Sequence, residues 1–256
     1  LQPWINKGYL PHLFTLQKCG VSAFLRSTIP PITSTAWASF ITGKEPSNTG
    51  IFEFYYRDYN SYSIHVNTRL RIKGISLWQR LNDYGKKVII INVPMTYPAE
   101  KITNGLIITG LLTPSVHSKG FTYPPELFEK YKLDKQRYII KIRLPDYKKS
   151  YHRLIADLKK MIKERVRVAK TLLKEPWDFF MVHFYATDVA QHALWRFIDP
   201  KHPQYDRNIA EKYSNKLLEV FQEVDRSIGE LLENIDLNTT YVIVLSDHGF
   251  GPNKRV

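Results

Sequence analysis

The alternation of β-rich and helix-patterned segments along this 256-residue chain predicts an α/β fold with a largely parallel sheet. Two further observations support it. Val88 to Asn92 and Tyr241 to Leu245 are short apolar runs that read as buried strands, and long stretches between such runs carry apolar residues at steps of three and four.

In chain order, residues 4–18 read as a helix interrupted near Pro11, and residues 21–28 as a short strand. A turn at Pro30 and Pro31 leads into a helix from about Thr35 to Thr42, stopped by Gly43. Residues 75–84 are helical in pattern, with Gly85 as the stop before the strand at Val88. Leu106 to Thr109 is a further strand. The stretch from Leu111 to Tyr147, rich in Pro, Tyr and Lys without a steady period, reads as an insertion over the sheet. From Lys148 to Lys174 the apolar positions Leu154, Leu158, Met161, Ile162, Val166, Ala169 and Leu173 define a helix about 40 Å long. Asp178 to Tyr185 is then a strand, 205–234 a long helix, and 241–245 the last strand.

Composition narrows the class. With 43% hydrophobic and 13% aromatic residues the chain can build a core, which excludes disorder for most of it. Cys19, the single cysteine, excludes disulfide and zinc-finger scaffolds and reads as a core thiol beside Leu16. No apolar run reaches the roughly 20 residues needed to span a bilayer, and no signal pattern opens the sequence, so the chain reads as soluble and cytoplasmic. The net charge of +13 suits either an anionic partner or a lysine-rich surface used for solubility. Ten basic residues between Lys148 and Lys174 raise a nucleic-acid or polyanion reading; the apolar stripe of that helix favours a solvated face instead.

The chemistry-bearing residues cluster after strands. Asp188 and His192, four apart in the segment after strand 178–185, fall on one helical face and can reach the same metal ion. Asp247 and His248 follow the strand 241–245 in the same way. Ligands in open α/β sheets gather outside the carboxyl ends of the strands, and carboxylate plus imidazole suits zinc, manganese or iron better than calcium. Taken singly, Asp188 also reads as a helix cap and Asp247 as a turn residue; the ordered repetition after two strands is harder to explain that way. Thr33, at a loop-to-helix junction in Pro30-Pro-Ile-Thr33-Ser34-Thr35, is placed to be a nucleophile or, with Ser34 and Thr35, to cap the helix.

The ordered set of Thr33 with Thr42-Gly43 downstream, Asp188-x-x-x-His192 and Asp247-His248-Gly249 resembles the type I phosphodiesterase and nucleotide pyrophosphatase branch of the alkaline phosphatase superfamily, above all its archaeal members. Gly43 to Ile51, Val93 to Pro98, Leu112 to Ser115 and Phe121 to Pro125 add to the likeness, which covers nearly the whole chain. The resemblance implies an alkaline-phosphatase-like three-layer α/β/α sandwich and a single incomplete catalytic domain over 1–256. It implies hydrolysis of a phosphodiester or nucleotide pyrophosphate through Thr33 between two divalent metals, zinc first and manganese second. Asp188 and His192 would hold one metal; Asp247, His248 and Thr33 the other. Trp195 and Arg196 are candidates for holding the leaving group. The family also has an upstream aspartate and a downstream histidine that this sequence does not show, and His65, His117 and His202 lie in no matching motif. Where some nucleotide pyrophosphatases place an asparagine, Glu53 and Phe54 stand here, which leaves other phospho- or sulfo-transfer (phosphomonoesterase, phosphonate hydrolase, sulfatase or mutase chemistry) as alternatives. A small phosphate ester or nucleotide is the implied partner, and oligomeric state is open.

Overall fold

A computed structural model describes residues 1–133, 138–147 and 150–252. The helices are α1 (Gln2–Asn6), α2 (Pro11–Cys19), α3 (Thr33–Thr42), α4 (Pro46–Thr49), α5 (Leu77–Asp83), α6 (Leu127–Lys130), α7 (Tyr151–Leu172), α8 (Ala186–Leu194) and α9 (Arg207–Leu232). The strands are β1 (Tyr55–Arg57), β2 (Ile64–Val66), β3 (Val88–Ile91), β4 (Gly105–Ile108), β5 (Thr122–Tyr123) and β6 (Phe179–Val182). The main sheet runs β5-β4-β3-β6, with β3 parallel to both β4 and β6, and β5 antiparallel at the edge; β1 and β2 form a separate hairpin.

The period-two alternation of β-strands builds three layers. Val88, Ile90 and Ile107 face Trp37, Ala38 and Ile41 of α3 and Trp78 of α5. Ile89, Ile91 and Ile108 face the other way, onto Val168, Ala169 and Leu172 of α7 and Phe121. The opposite stripe of α7, from Leu154 to Val166, packs against α8 and α9 in a further apolar cluster. The α/β class and the mostly parallel sheet are therefore as the sequence predicts. Segment 111–147 does more than lie over the sheet. It supplies β5, and it lends Phe121, Leu127, Leu133, Tyr138 and Ile140 to the core; residues 134–137 lie outside the described residues, as do Lys148 and Lys149 at the start of the predicted long helix.

Four expectations are corrected. Residues 21–28 and 241–245 are not strands: neither has regular secondary structure and both are largely solvent-exposed, with Phe24 fully exposed and Ile243 at 80%. Apolar β-branched composition sets what a segment tolerates, but a strand needs a backbone neighbour, and among the described residues neither segment has one. Cys19 is exposed and not a core thiol, because α2 buries none of its residues. Within α7 the deeply buried position is Leu172, with Leu173 only half-buried.

Tertiary contacts hold the chain leading to α3. Asp225 of α9, 1% exposed, accepts the backbone N–H of Leu13 (2.8 Å) and of His12 (3.2 Å), and so caps the start of α2 from another helix. One turn further, Gly229 leaves room for the His12 ring; a Cβ there would stand 2.3 Å from it. Between α7 and α9, Lys159–Glu219 (2.7 Å), Lys163–Glu223 (3.9 Å) and Lys170–Glu230 (3.1 Å) pair across the helices. Part of the basic face of α7 is thus taken up by α9 carboxylates. Among the described residues no helix is long and apolar enough to cross a membrane.

Candidate active site at the carboxyl edge of the sheet

Because β3, β4 and β6 are parallel, their carboxyl ends share one edge of the sheet. Beyond β6 the chain turns through His183 to Tyr185 into α8, and Asp188 is the third residue of that helix. Tyr185 is the N-cap and no side chain caps α8, so Asp188 is not spent on backbone N–H groups. His192 Nε2 lies 3.5 Å from Asp188 Oδ1, a buried oxygen with no hydrogen-bond partner among the described residues. Burial pushes the Asp188 carboxyl above its ordinary range, against the opposing pull of His192 and His248.

Thr33 is the first residue of α3. The N-cap is Ile32, without a side-chain cap, and the hydroxyls of Ser34 and Thr35 are buried and unpartnered among the described residues. None of the three hydroxyls caps the helix. Instead Thr33 Oγ1 lies 3.0 Å from His248 Nε2. The other ring nitrogen of His248, Nδ1, is 2.9 Å from the carbonyl of Gly249. A carbonyl only accepts, so Nδ1 carries the proton, Nε2 presents its lone pair, and the Thr33 hydroxyl donates to it.

Asp247 completes the group. Its Oδ2 lies 3.5 Å from His248 Nε2 and is buried without a hydrogen-bond partner among the described residues. Burial raises the Asp247 carboxyl, His248 lowers it, and the Asp188 carboxylate raises it further, so the two acids feel one another. Because 241–245 is no strand, Asp247 and His248 are carried on a loop. That loop is stitched down by Ser27 Oγ donating to the Asp247 carbonyl at 2.6 Å and by the Thr33 contact. The Ser27 contact escaped sequence reasoning, since a serine in an irregular segment carries no local signal of its partner.

The donor set fits divalent metal in kind. Two orphaned buried carboxylate oxygens with neighbouring imidazoles are what zinc or manganese accepts. Each Asp–His pair offers two such donors, and among the described residues no three His, Cys, Asp or Glu side chains come together as an ion cage. His65 is engaged with Ser63 and stacked on Tyr56, His117 packs on Phe128, and His202 accepts the N–H of Gln204. Arg196 reaches the Tyr151 hydroxyl and lies over the Phe197 ring, in contacts of the helical layer.

Behind the site, His183 is half-buried, its ring 5.0 Å from that of Trp37 and its Nδ1 without a partner among the described residues. Burial and the Arg165 guanidinium push it down to about 3. Arg165 itself is 1% exposed and donates to the carbonyls of His183 (3.0 Å) and Ile139 (2.9 Å), fixing the end of β6.

The three-layer α/β fold thus brings Thr33, at the start of α3, together with two Asp–His pairs beyond the carboxyl edge of its parallel sheet. The chain belongs to the type I phosphodiesterase / nucleotide pyrophosphatase family, whose model matches residues 1–256. Among solved structures it is similar to phosphonoacetate hydrolase from Sinorhizobium meliloti 1021. The complex with phosphonoformate gives a TM-score of 0.54 at 13% identity, covering 90% of this chain and 49% of that one. The complex with phosphonoacetate gives 0.50 at 12% identity, with the same coverage. The chain therefore spans about half the length of the solved structures it matches. No curated protein matches the sequence.

Proposed function

We propose that the protein hydrolyses phosphate esters, phosphodiesters or nucleotide pyrophosphates first, with Thr33 as nucleophile. The observation that carries this reading is the 3.0 Å contact of Thr33 Oγ1 with His248 Nε2, because it sets the nucleophile's hydroxyl beside the ring nitrogen that would hold the second metal, so that one ion could bind both. Asp188 and His192 would hold one divalent metal, and Asp247, His248 and Thr33 a second, zinc before manganese. When bound, such ions polarise phosphoryl oxygens and lower the pKa of an attacking hydroxyl or water.

The chain's own residues do the rest. Thr33 Oγ1 forms the new bond to phosphorus as the ester P–O bond breaks, and the leaving oxygen takes up a proton. Water then cleaves the phosphothreonine and frees Thr33. The backbone N–H groups at the start of α3 are uncapped by any side chain, which leaves them to receive the phosphoryl oxygens of such an adduct. The ion pairs between α7 and α9 argue for the solvated-face reading of the basic helix over polyanion binding. Phosphonate hydrolysis, for which the similar solved structure is named, is the alternative within this site: Thr33 would attack phosphorus as the P–C bond breaks, and the leaving carbon would take up the proton.

The test is hydrolysis of bis-p-nitrophenyl phosphate with added Zn²⁺ or Mn²⁺, comparing the chain with Thr33→Ala at equal folded concentration. Turnover that requires both metal and Thr33 is expected. Metal-dependent turnover that survives the substitution would assign the nucleophile elsewhere.

A further inference from the structure

The β1–β2 hairpin has two unlike faces. Tyr55 pairs with Val66, Tyr56 with His65 and Arg57 with Ile64, so alternation puts Tyr56 and His65 on one face and Tyr55, Arg57, Ile64 and Val66 on the other. The first face is taken up internally. Tyr56 stacks on His65 with ring centroids 5.3 Å apart, and the Arg71 guanidinium lies 3.6 Å from the Tyr56 centroid. The second face is open to solvent, with Tyr55 55% exposed, Val66 43% and Ile64 72%.

Core packing does not account for that open face: among the described residues none of its side chains belongs to the three apolar clusters. The acids of the hairpin are engaged locally. Asp58 accepts the Asn60 N–H (3.0 Å) and the Ser61 hydroxyl (2.8 Å) and so shapes the turn, and Glu53 accepts the N–H of Phe54 at 2.7 Å. The cations are held on rings instead, Arg57 over Tyr62 at 4.2 Å and Arg71 over Tyr56. A two-stranded hairpin is marginal in water by itself, and covering its apolar face would stabilise it.

Charge selects what covers it. The chain carries +13, and a second copy laid on this face about a two-fold axis would bring like charge against like. A single-stranded nucleic acid needs free ring faces to stack on, and here Tyr56 and Tyr62 already hold His65, Arg71 and Arg57. What remains open is aliphatic, Ile64 and Val66, flanked by tyrosine and arginine, a combination suited to the headgroup boundary of a bilayer. We propose that this face docks the protein on an anionic lipid surface, with Tyr55, Ile64 and Val66 at the acyl boundary and Arg57 among the lipid phosphates.

Flotation of the full chain with vesicles of phosphatidylcholine, alone or with about one-third phosphatidylserine, tests it. Binding to the anionic vesicles is expected, weakening as salt is added. Any basic protein shows that much, so the deciding variant keeps the charge. Ile64→Ser combined with Val66→Ser should weaken binding about tenfold, with an unchanged circular dichroism spectrum. Arg57→Gln should weaken it about fivefold, whereas Lys174→Gln, the same loss of charge at the exposed end of α7, should change it less than twofold. A polarity-sensitive dye on Tyr59→Cys, in a Cys19→Ser background, should shift to the blue on anionic vesicles only; Tyr59 lies at the hairpin tip, 91% exposed. No binding to anionic vesicles, or binding indifferent to the double serine variant, overturns the proposal. So does a dye that stays in water while the protein floats. Polyuridylate binding that the double variant abolishes, with vesicle binding unchanged, would make the face a nucleic-acid site. A dimer that the same variant dissociates would make it an interface between copies.

Discussion

Thr33 Oγ1 and His248 Nε2 meet at 3.0 Å although 215 positions separate them in sequence. Neither residue sits on a strand: Thr33 opens α3, and His248 rides a loop whose ring is oriented by its own Nδ1 bond to Gly249. Replacing the imidazole removes the ring nitrogen proposed to hold the metal beside Thr33 while leaving the fold intact. His248→Asn is expected to lower turnover of bis-p-nitrophenyl phosphate by about 10²-fold or more, with an unchanged circular dichroism spectrum. A variant within twofold of wild type would show that the contact is incidental.

Metal should be read in stability as well as in rate. Asp188 and Asp247 are both held above the ordinary carboxylate range by burial, and their orphaned oxygens gain nothing in return without a cation. Zinc at a hundredfold excess over its dissociation constant contributes about 2.7 kcal/mol to the folded state, which raises Tm by about 5–10 °C for a chain of this size. Asp188→Asn and Asp247→Asn should each abolish most of that rise. In chelator, both variants should melt no lower than wild type, since a buried charge has been removed. A thermal shift by zinc that persists in both would place the ion elsewhere.

His183 gives the chain a definite response to acid. Inside the fold it titrates at about 3, against 6.5 for a free imidazole, so the unfolded chain takes the proton first as pH falls. Its contribution is therefore constant above pH 6.5 and is lost progressively between 6.5 and 3. Between pH 6.5 and 5 the loss is roughly 1.5–2 kcal/mol. Urea unfolding at the two pH values, compared with His183→Gln, isolates it: the variant should lose less stability across that interval. Equal losses in both proteins would mean the ring is reached by solvent.

The sheet and the long helices were legible because their signals are local. Val88 to Ile91 is apolar at every position, and the stripe from Leu154 to Ala169 repeats with the helical period, so each segment declares its own state. The pairing of the site is another matter. Asp188 and His192 share a face by helix geometry alone, and their juxtaposition follows from spacing. The Thr33–His248 and Ser27–Asp247 contacts are set by how two distant loops return to one edge, which no spacing rule encodes. The unrealised strands at 21–28 and 241–245 make the complementary point: composition licenses a strand, and a hydrogen-bonding neighbour makes one.

The same non-local logic explains why α2 depends on α9. Asp225 spends both carboxylate oxygens on the first free N–H groups of α2, and Gly229, one turn along, is the gap that receives His12. Removing Asp225 strands two backbone donors, so Asp225→Ala should cost about 1–3 kcal/mol. Gly229→Ala should cost about 1–2 kcal/mol, because the His12 backbone is pinned by Asp225 and only the ring can swing clear of the new methyl. The effect should also reach the site, since α2 leads through residues 20–32 to Thr33. Limited trypsin digestion is expected to cut at the exposed Lys18 faster in both variants, with turnover falling in step. Wild-type stability and cleavage in Asp225→Ala would show that α2 is held by other contacts and that Thr33 is placed without it.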